Sequence, residues 1–278
     1  MSRAFRWADT WPARIGLIGA SCLLLIAFLG PFAAPHSPTA LLGAPFSGPT
    51  SRFPLGTDFL GRDVLSRVLW GGRTVVVLAG LATIVGYLGG ASIGLIAGHM
   101  RGGTDAALMR AMDVLLAFPP ILLLLVLAAG FGANPVALVA GIALIHIPGI
   151  ARIIRAATQD ASVRGYVEAA AARGERTAAV LYREILPNIW PTLAADAGPR
   201  FTVSILLVAA INFLGLGIRP PTADWALMIS ENRVALTIQP LTIAVPAVMI
   251  AVLTISVNLV ADAFARSRGV SRGILVRR

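Results

Sequence analysis

The sequence predicts an all-α polytopic membrane protein with six transmembrane helices. Three observations carry that expectation: 57% of the 278 residues are hydrophobic, only 13% are charged, and the mean hydropathy is +0.81. Soluble domains carry about 25% charged residues, and half that proportion cannot solvate the surface of so long a chain. The length leaves room for about six spans of roughly 20 residues with their connecting loops.

The spans follow in order. Arg3, Arg6 and Arg14 precede an apolar run over residues 15–34. A basic start and an apolar core also describe a cleaved signal peptide, but the run has span length, so it reads as a retained first helix. Pro35, Pro38, Pro45, Pro49 and Pro54 then break helix, which makes residues 35–73 a long polar excursion. The second span is expected over 74–98 and the third over 114–131, with Pro119 and Pro120 bending its start. The fourth covers 135–154, interrupted by Pro148 and Gly149. A polar segment over 155–200 precedes the fifth span, 201–218, and the sixth, 241–264. The chain therefore divides into an N-terminal tail, first helix and outer loop (1–73), a five-helix core (74–264) containing a polar inner loop at 158–190, and a basic tail (265–278).

Orientation follows from the arginines, because cytoplasmic loops retain positive charge. With six spans and the N-terminus inside, 17 of the 23 arginines fall in inner segments and 6 in outer ones. Both termini are then cytoplasmic. The same bias accounts for the net charge of +10 without nucleic acid as a partner, since no basic stripe with interleaved aromatics is present.

Composition excludes several chemistries. Every basic residue is arginine, so a P-loop, which needs a lysine on the phosphates, and Schiff-base catalysis are both absent. Cys22 alone permits neither an internal disulfide nor a cysteine zinc site. His36, His99 and His146 lie far apart, so no metal-ligand spacing appears.

Two patterns point to interaction. Gly86, Gly90, Gly94 and Gly98 recur every four residues on one face of the second span, a spacing that lets another helix approach closely in lipid, within the subunit or from a partner. In the inner loop, residues 166–188 read YVEAAAARGERTAAVLYREILPN. Glu168 and the alanines from Ala169 favour helix, Gly174 suits the left-handed turn that ends one, and a second short helix is expected from about Arg176 to Leu186, stopped by Pro187. This predicts a helix-turn-helix knob with a small-residue surface.

Glu168-Ala169-Ala170, then Gly174, then Ile185-Leu186-Pro187 resembles the EAA loop of ABC importer permeases. Residues 54–67 (PLGTDFLGRDVLSR), 110–119 (RAMDVLLAFP) and 213–225 (FLGLGIRPPTADW) resemble the DppC/OppC-type permease subunit of dipeptide, oligopeptide and nickel importers, and the likeness extends from Arg14 to about Asp262. It implies a type I importer permease in the bacterial inner membrane, without catalytic residues or a bound cofactor of its own. ATP and magnesium would be held by two partner ATPase subunits. A second, similar permease and an extracytoplasmic substrate-binding protein would complete the assembly, and peptides would be the default cargo, with nickel or another small solute as alternatives. The loop residues Tyr166, Glu168, Ala169, Ala170, Gly174, Ile185, Leu186 and Pro187 would form the element that docks into the ATPases. The chain departs from the family at Arg173 (commonly Leu), Asn212 (commonly Ser) and Ala226 (often Gly), and it lacks the acidic ending after Asp262.

Polar residues inside spans are costly unless partnered. His146 and Asn212 therefore either line a substrate path or hydrogen-bond a neighbouring helix, and the second is the simpler expectation. Asp196, Asn258 and Asp262 are expected at inner ends, in headgroup water. The mixed charges Asp58, Arg62, Asp63 and Arg67 predict either a cover over the pore mouth or binding-protein contact, or a solvated, locally paired loop. A rival of another class is an intramembrane serine protease, since Gly90-x-Ser92-x-Gly94 reads G-x-S-x-G and His146 lies in another span. A self-sufficient carrier is disfavoured: no carboxylate is expected at mid-depth and no internal repeat is seen.

Overall fold

The computed structural model describes residues 10–132 and 134–267. Arg3 and Arg6 of the expected inner N-terminal segment, and the tail from Arg268 onward, lie outside the described residues. The described part is helical, with a single isolated bridge between Thr57 and Asp63. In chain order the helices are α1 (Trp11–Ala33), α2 (Val64–Met100), α3 (Gly102–Leu116), α4 (Pro120–Phe131), α5 (Pro135–Ser162), α6 (Gly165–Ala172), α7 (Thr177–Phe213), α8 (Trp225–Glu231) and α9 (Leu241–Ser267).

Five of these, α1, α2, α5, α7 and α9, are long and apolar enough to cross a membrane, and α3 with α4 makes a sixth if the pair counts as one span. The expected third span is therefore not one helix. Its two parts meet at 81°. Pro119 and Pro120 supply no backbone N–H, and Pro119 is extended at ψ 128°, so the α3 ladder ends before them and α4 starts afresh.

The fifth span also differs from expectation. It begins at Thr177, not 201, and carries Pro187, Pro191 and Pro199 within it. Neighbouring helices and local widening of the helix accommodate prolines in membrane spans. The span stops at Phe213, where Gly215 takes φ +72° and its N–H closes on Asn212 O at 3.0 Å, so residues 214–218 are already loop.

Two apolar clusters hold the bundle. One runs through the membrane, with Val75 and Ala79 of α2, Ile142 of α5, Ile205 and Val208 of α7, Leu253 of α9 and Trp225 and Met228 of α8. The other lies at the end of the bundle that carries the 166–188 loop and gathers Leu95, Ile150, Ile154, Val167, Ala170, Val180, Ile185 and Ile189. Helix α1 packs on α2 and α9 at the edge of the bundle. Toward the opposite end, Trp225 fills the space left by Gly71 and Gly72, with Nε1 donating to Val68 O at 2.8 Å.

Candidate functional site

The inner loop folds as the sequence leads one to expect in its first half. Arg164 is extended (ψ 144°), and α6 follows with Glu168 in its first turn, where a carboxylate favours the positive end of the helix dipole. The helix closes with a paired cap: Gly174 N–H donates to Ala171 O at 2.9 Å, and Glu175 N–H to Ala170 O at 3.3 Å. This pair of hydrogen bonds requires a left-handed residue just past the helix end, and Gly174 supplies it at φ +74°. Arg173 is exposed, its guanidinium paired with Glu175 at 2.7 Å.

The second half departs from expectation. Pro187 does not stop the helix. Because it offers no N–H, the carbonyl of Arg183 loses its partner four residues on, and Val180–Ile185 widens into a π-helical stretch in which Leu186 N–H reaches Leu181 O. Beyond it α7 runs without a break into the membrane. The second half of the knob is thus continuous with a span.

The loop residues divide between two faces of the knob. Glu168, Ala169, Gly174 and Pro187 are exposed, and Tyr166 and Leu186 are half-buried. Ala170 and Ile185 are fully buried, packed with Val167 and Val180 against Ile154 of α5. Ala170 therefore holds α6 onto the bundle instead of offering a contact surface, which corrects the expectation drawn from the motif. A polar cavity of about 260 Å³ lies beside the knob, lined by Asp160, Arg164, Tyr166, Asn188 and Thr192. Ion pairs from Arg155 to Asp105 and from Arg152 to Asp113 brace α5 against α3.

The glycine register faces α5 within the same chain. A Cβ at Gly90 would stand 2.7 Å from Ile150 Cβ, at Gly94 2.6 Å from Ala151 O, at Gly98 2.6 Å from Thr158 Cβ, and at Gly86 3.0 Å from His146 Cβ. The seam thus joins two spans of one subunit.

His146 and Asn212 do not face open space. His146 is 1% exposed, and its Nε2 lies 2.8 Å from Ser204 Oγ on α7. Ser204 Oγ lies 2.8 Å from Thr83 Oγ1, whose hydroxyl donates to Ala79 O at 2.8 Å. A hydrogen for every contact requires donation in one direction, from His146 to Ser204 to Thr83, so the ring clamps three helices together. Asn212 is fully buried, and its Oδ1 accepts from Ile218 N–H at 2.9 Å across a turn where Gly217 has no room for a side chain. Both were path candidates from sequence; the structure gives each a structural partner. Ser92 Oγ donates to Leu88 O at 2.7 Å, one turn back on its own helix. With the imidazole bonded to Ser204, the Ser92–His146 pair of the protease reading is not assembled.

The mixed-charge segment is locally paired, in line with one of the two expectations, but it is buried and not solvated. Asp58, Arg62, Asp63 and Arg67 are 0–2% exposed. Asp58 Oδ2 accepts from Arg62 Nε at 2.6 Å and also from Arg67, and Glu231 Oε2 lies 3.0 Å from Arg62 and 2.8 Å from Arg67. Asn232 Oδ1 accepts from Phe59 N–H at 3.0 Å. The segment that leads into α2 is thereby locked onto α8 and the turn that follows it. Close by, burial pushes the Asp224 carboxyl up to about 6, against the N–H groups of Leu227 and Ala226 and the charge of Arg67. Two acids and two arginines already balance in this cluster, so a further buried negative charge is disfavoured.

One feature of α7 escaped the sequence. Asp196, expected in headgroup water, accepts from Tyr87 Oη at 2.7 Å and from Arg200 Nε at 3.1 Å within the bundle. The i, i+4 spacing of an acid and an arginine was the available signal.

These helices, with the seam, the knob and the buried ionic lock, define a polytopic membrane protein. The chain belongs to the family of binding-protein-dependent transport system inner membrane components, whose model matches residues 90–269. Among proteins of that kind it is 33% identical to the dipeptide transport system permease DppC of Haemophilus influenzae, over 90% of this chain and 87% of that one. It is 32% identical to the di/tripeptide permease DppC of Pseudomonas aeruginosa, over 89% and 84%. It is also 35% identical to the glutathione permease GsiD of Pectobacterium atrosepticum, over 77% and 71%. In fold it is similar to a chain of the inward-facing MetNI methionine ABC transporter, with a TM-score of 0.55 over 72% of this chain and 94% of that chain at 16% identity.

Proposed function

We propose that this chain is one permease half of a bacterial ABC importer for di- and oligopeptides, working beside a second, similar permease. Two cytoplasmic ATPase subunits would hold ATP and magnesium, and an extracytoplasmic binding protein would deliver the peptide. The chain itself carries no catalytic residue in this reading, and its N- and C-termini are cytoplasmic.

The observation that carries the mechanism is the continuity of the knob with α7. Closure of the ATPases around ATP would displace the exposed face of α6 at Glu168 and Ala169, with the turn at Gly174, and the helix beyond would tilt with it. Glu168 pairing with a partner arginine would contribute only about 0–1 kcal/mol in solvent, so the fit of the small-residue face matters more. Peptides are supported as cargo by the names of the relatives that match along most of the chain. The test is uptake of labelled alanyl-alanine by proteoliposomes holding the complete complex. ATP- and binding-protein-dependent uptake is expected, and a complex that hydrolyses ATP but takes up no peptide refutes the cargo.

A further inference from the structure

The Asp196–Arg200 pair of α7 belongs neither to the glycine seam nor to the knob. Arg200 lies about 20 Å and Asp196 about 25 Å inward of Phe213, the outer end of α7, at 1.5 Å per residue. With a hydrocarbon core about 30 Å thick, both stand inside the membrane, in its inner third. Charges at that depth face protein or water, because exposure to acyl chains is costly. Yet the pair is not sealed within the subunit: the two side chains keep 22% and 21% of their surface open. The outer cluster differs in this respect, since its four ionic residues Asp58, Arg62, Arg67 and Glu231 are at most 7% exposed.

The surroundings suit a polar guest. Asp196 Oδ2 is taken by Tyr87 and Arg200, whereas Oδ1 has no partner among the described residues. Arg200 spends Nε on Asp196, while Nη1 and Nη2 rest over Gly149 of α5, where a Cβ would come within 2.7 Å. Any larger residue at 149 would displace the guanidinium. Tyr87 also lines an apolar groove of about 560 Å³ between α2 and α7, together with Leu88, Ala91, Trp190, Leu193 and Ala197. Asp196 and Arg200 do not themselves line this groove; Tyr87 joins the two, its ring on the groove and its hydroxyl on Asp196, and the free carboxylate oxygen and guanidinium beside it complement an unblocked peptide, whose ends are an ammonium and a carboxylate.

Resting on the peptide-importer reading, we propose that Asp196, Arg200 and Tyr87 line the translocation path and receive the charged ends of the passing peptide, with Arg200 taking the carboxylate. This makes them specificity residues of the permease itself.

The test uses the complete complex in proteoliposomes, at saturating binding protein, with alanyl-alanine and alanyl-alanine amide as probes. Arg200→Gln is expected to lower alanyl-alanine uptake about tenfold while amide uptake changes little, since only the former presents a carboxylate. Equal losses for both probes, or no loss, overturn the proposal. A wild-type complex that takes up neither probe refutes the peptide reading, a failure distinct from an active wild type with an unchanged ratio. A second arm works even if Arg200→Gln assembles poorly. Cys22 is the chain's only cysteine. In a Cys22→Ser background, Ala197→Cys in the assembled complex is expected to react with a membrane-impermeant thiosulfonate and to be protected by alanyl-alanine. An unreactive Ala197→Cys means that lipid or a partner seals the groove, which overturns the proposal.

Discussion

Gly90 on α2 sits in the middle of the seam, where the two central helices leave no room for a side chain. A Cβ there would lie 2.7 Å from Ile150 Cβ and 2.9 Å from Ile147 O, and Ile150 is completely buried. Carbon atoms prefer about 3.5–4.0 Å, so Gly90→Ala forces α2 and α5 apart by about 1 Å. Gly86 and Gly94 lie one turn to either side on the same rigid helix, so the separation spreads along the seam. Forcing a methyl into a packed site costs about 1–3 kcal/mol. Gly80, on the same helix, is the control: a Cβ there has Phe201 Cε2 at 3.9 Å as its nearest neighbour. Both substitutions gain the same helix propensity, roughly 1 kcal/mol, so their difference isolates the clash. Thermal unfolding in detergent, followed through the five tryptophans, provides the assay. At about 2–4 °C per kcal/mol for a chain of this size, Gly90→Ala should melt roughly 2–12 °C below Gly80→Ala. Equal midpoints would show that the seam has slack and would refute the packing argument.

Other consequences follow from the outer cluster and from Ser92. The Asp224 carboxyl is raised from 3.8 to about 6, so the folded chain holds its proton more tightly than the unfolded one. That stability is complete below about pH 4 and is lost as pH rises through 6, by an amount on the order of 3 kcal/mol. Asp224→Asn keeps an acceptor for Ala226 and Leu227, so it should match wild type near pH 4 and melt higher at pH 7; a difference independent of pH contradicts the assignment. Arg67→Leu leaves the two buried acids Asp58 and Glu231 with Arg62 alone, one negative charge in excess, at a cost of about 3–5 kcal/mol. It should abolish monodisperse protein in detergent, whereas substitution of the exposed Arg110 should not. Ser92→Ala should leave uptake intact and stability within about 0.5 kcal/mol, and a tenfold loss of uptake would restore a functional role to that hydroxyl.

The sequence revealed what local chemistry determines. Apolar runs placed the spans, the four-residue glycine register marked the α2 face that meets α5, and Gly174 marked the turn of the knob. It concealed what depends on distant partners. Arg62 and Glu231 are separated by 169 positions, so the outer lock reads from sequence as scattered charge. The start of α7 was hidden by Arg176, Arg183, Glu184, Asp196 and Arg200, which dilute hydropathy, and by prolines that read as breakers. A π-helical turn before Pro187 carries the helix through. Ala170 shows the limit of a motif: the pattern marks it as part of the loop but cannot say that it faces inward.

The central claim is that the exposed face of α6 couples this permease to its ATPases. Purification of the tagged chain from its native host in mild detergent, with ATPase activity measured for wild type, Glu168→Arg and Gly174→Trp, tests it most directly. The account predicts that ATPase subunits accompany the wild-type chain, and that their recovery and activity fall severalfold with either change while the permease stays monodisperse. Undiminished ATPase recovery and activity in both variants would contradict it.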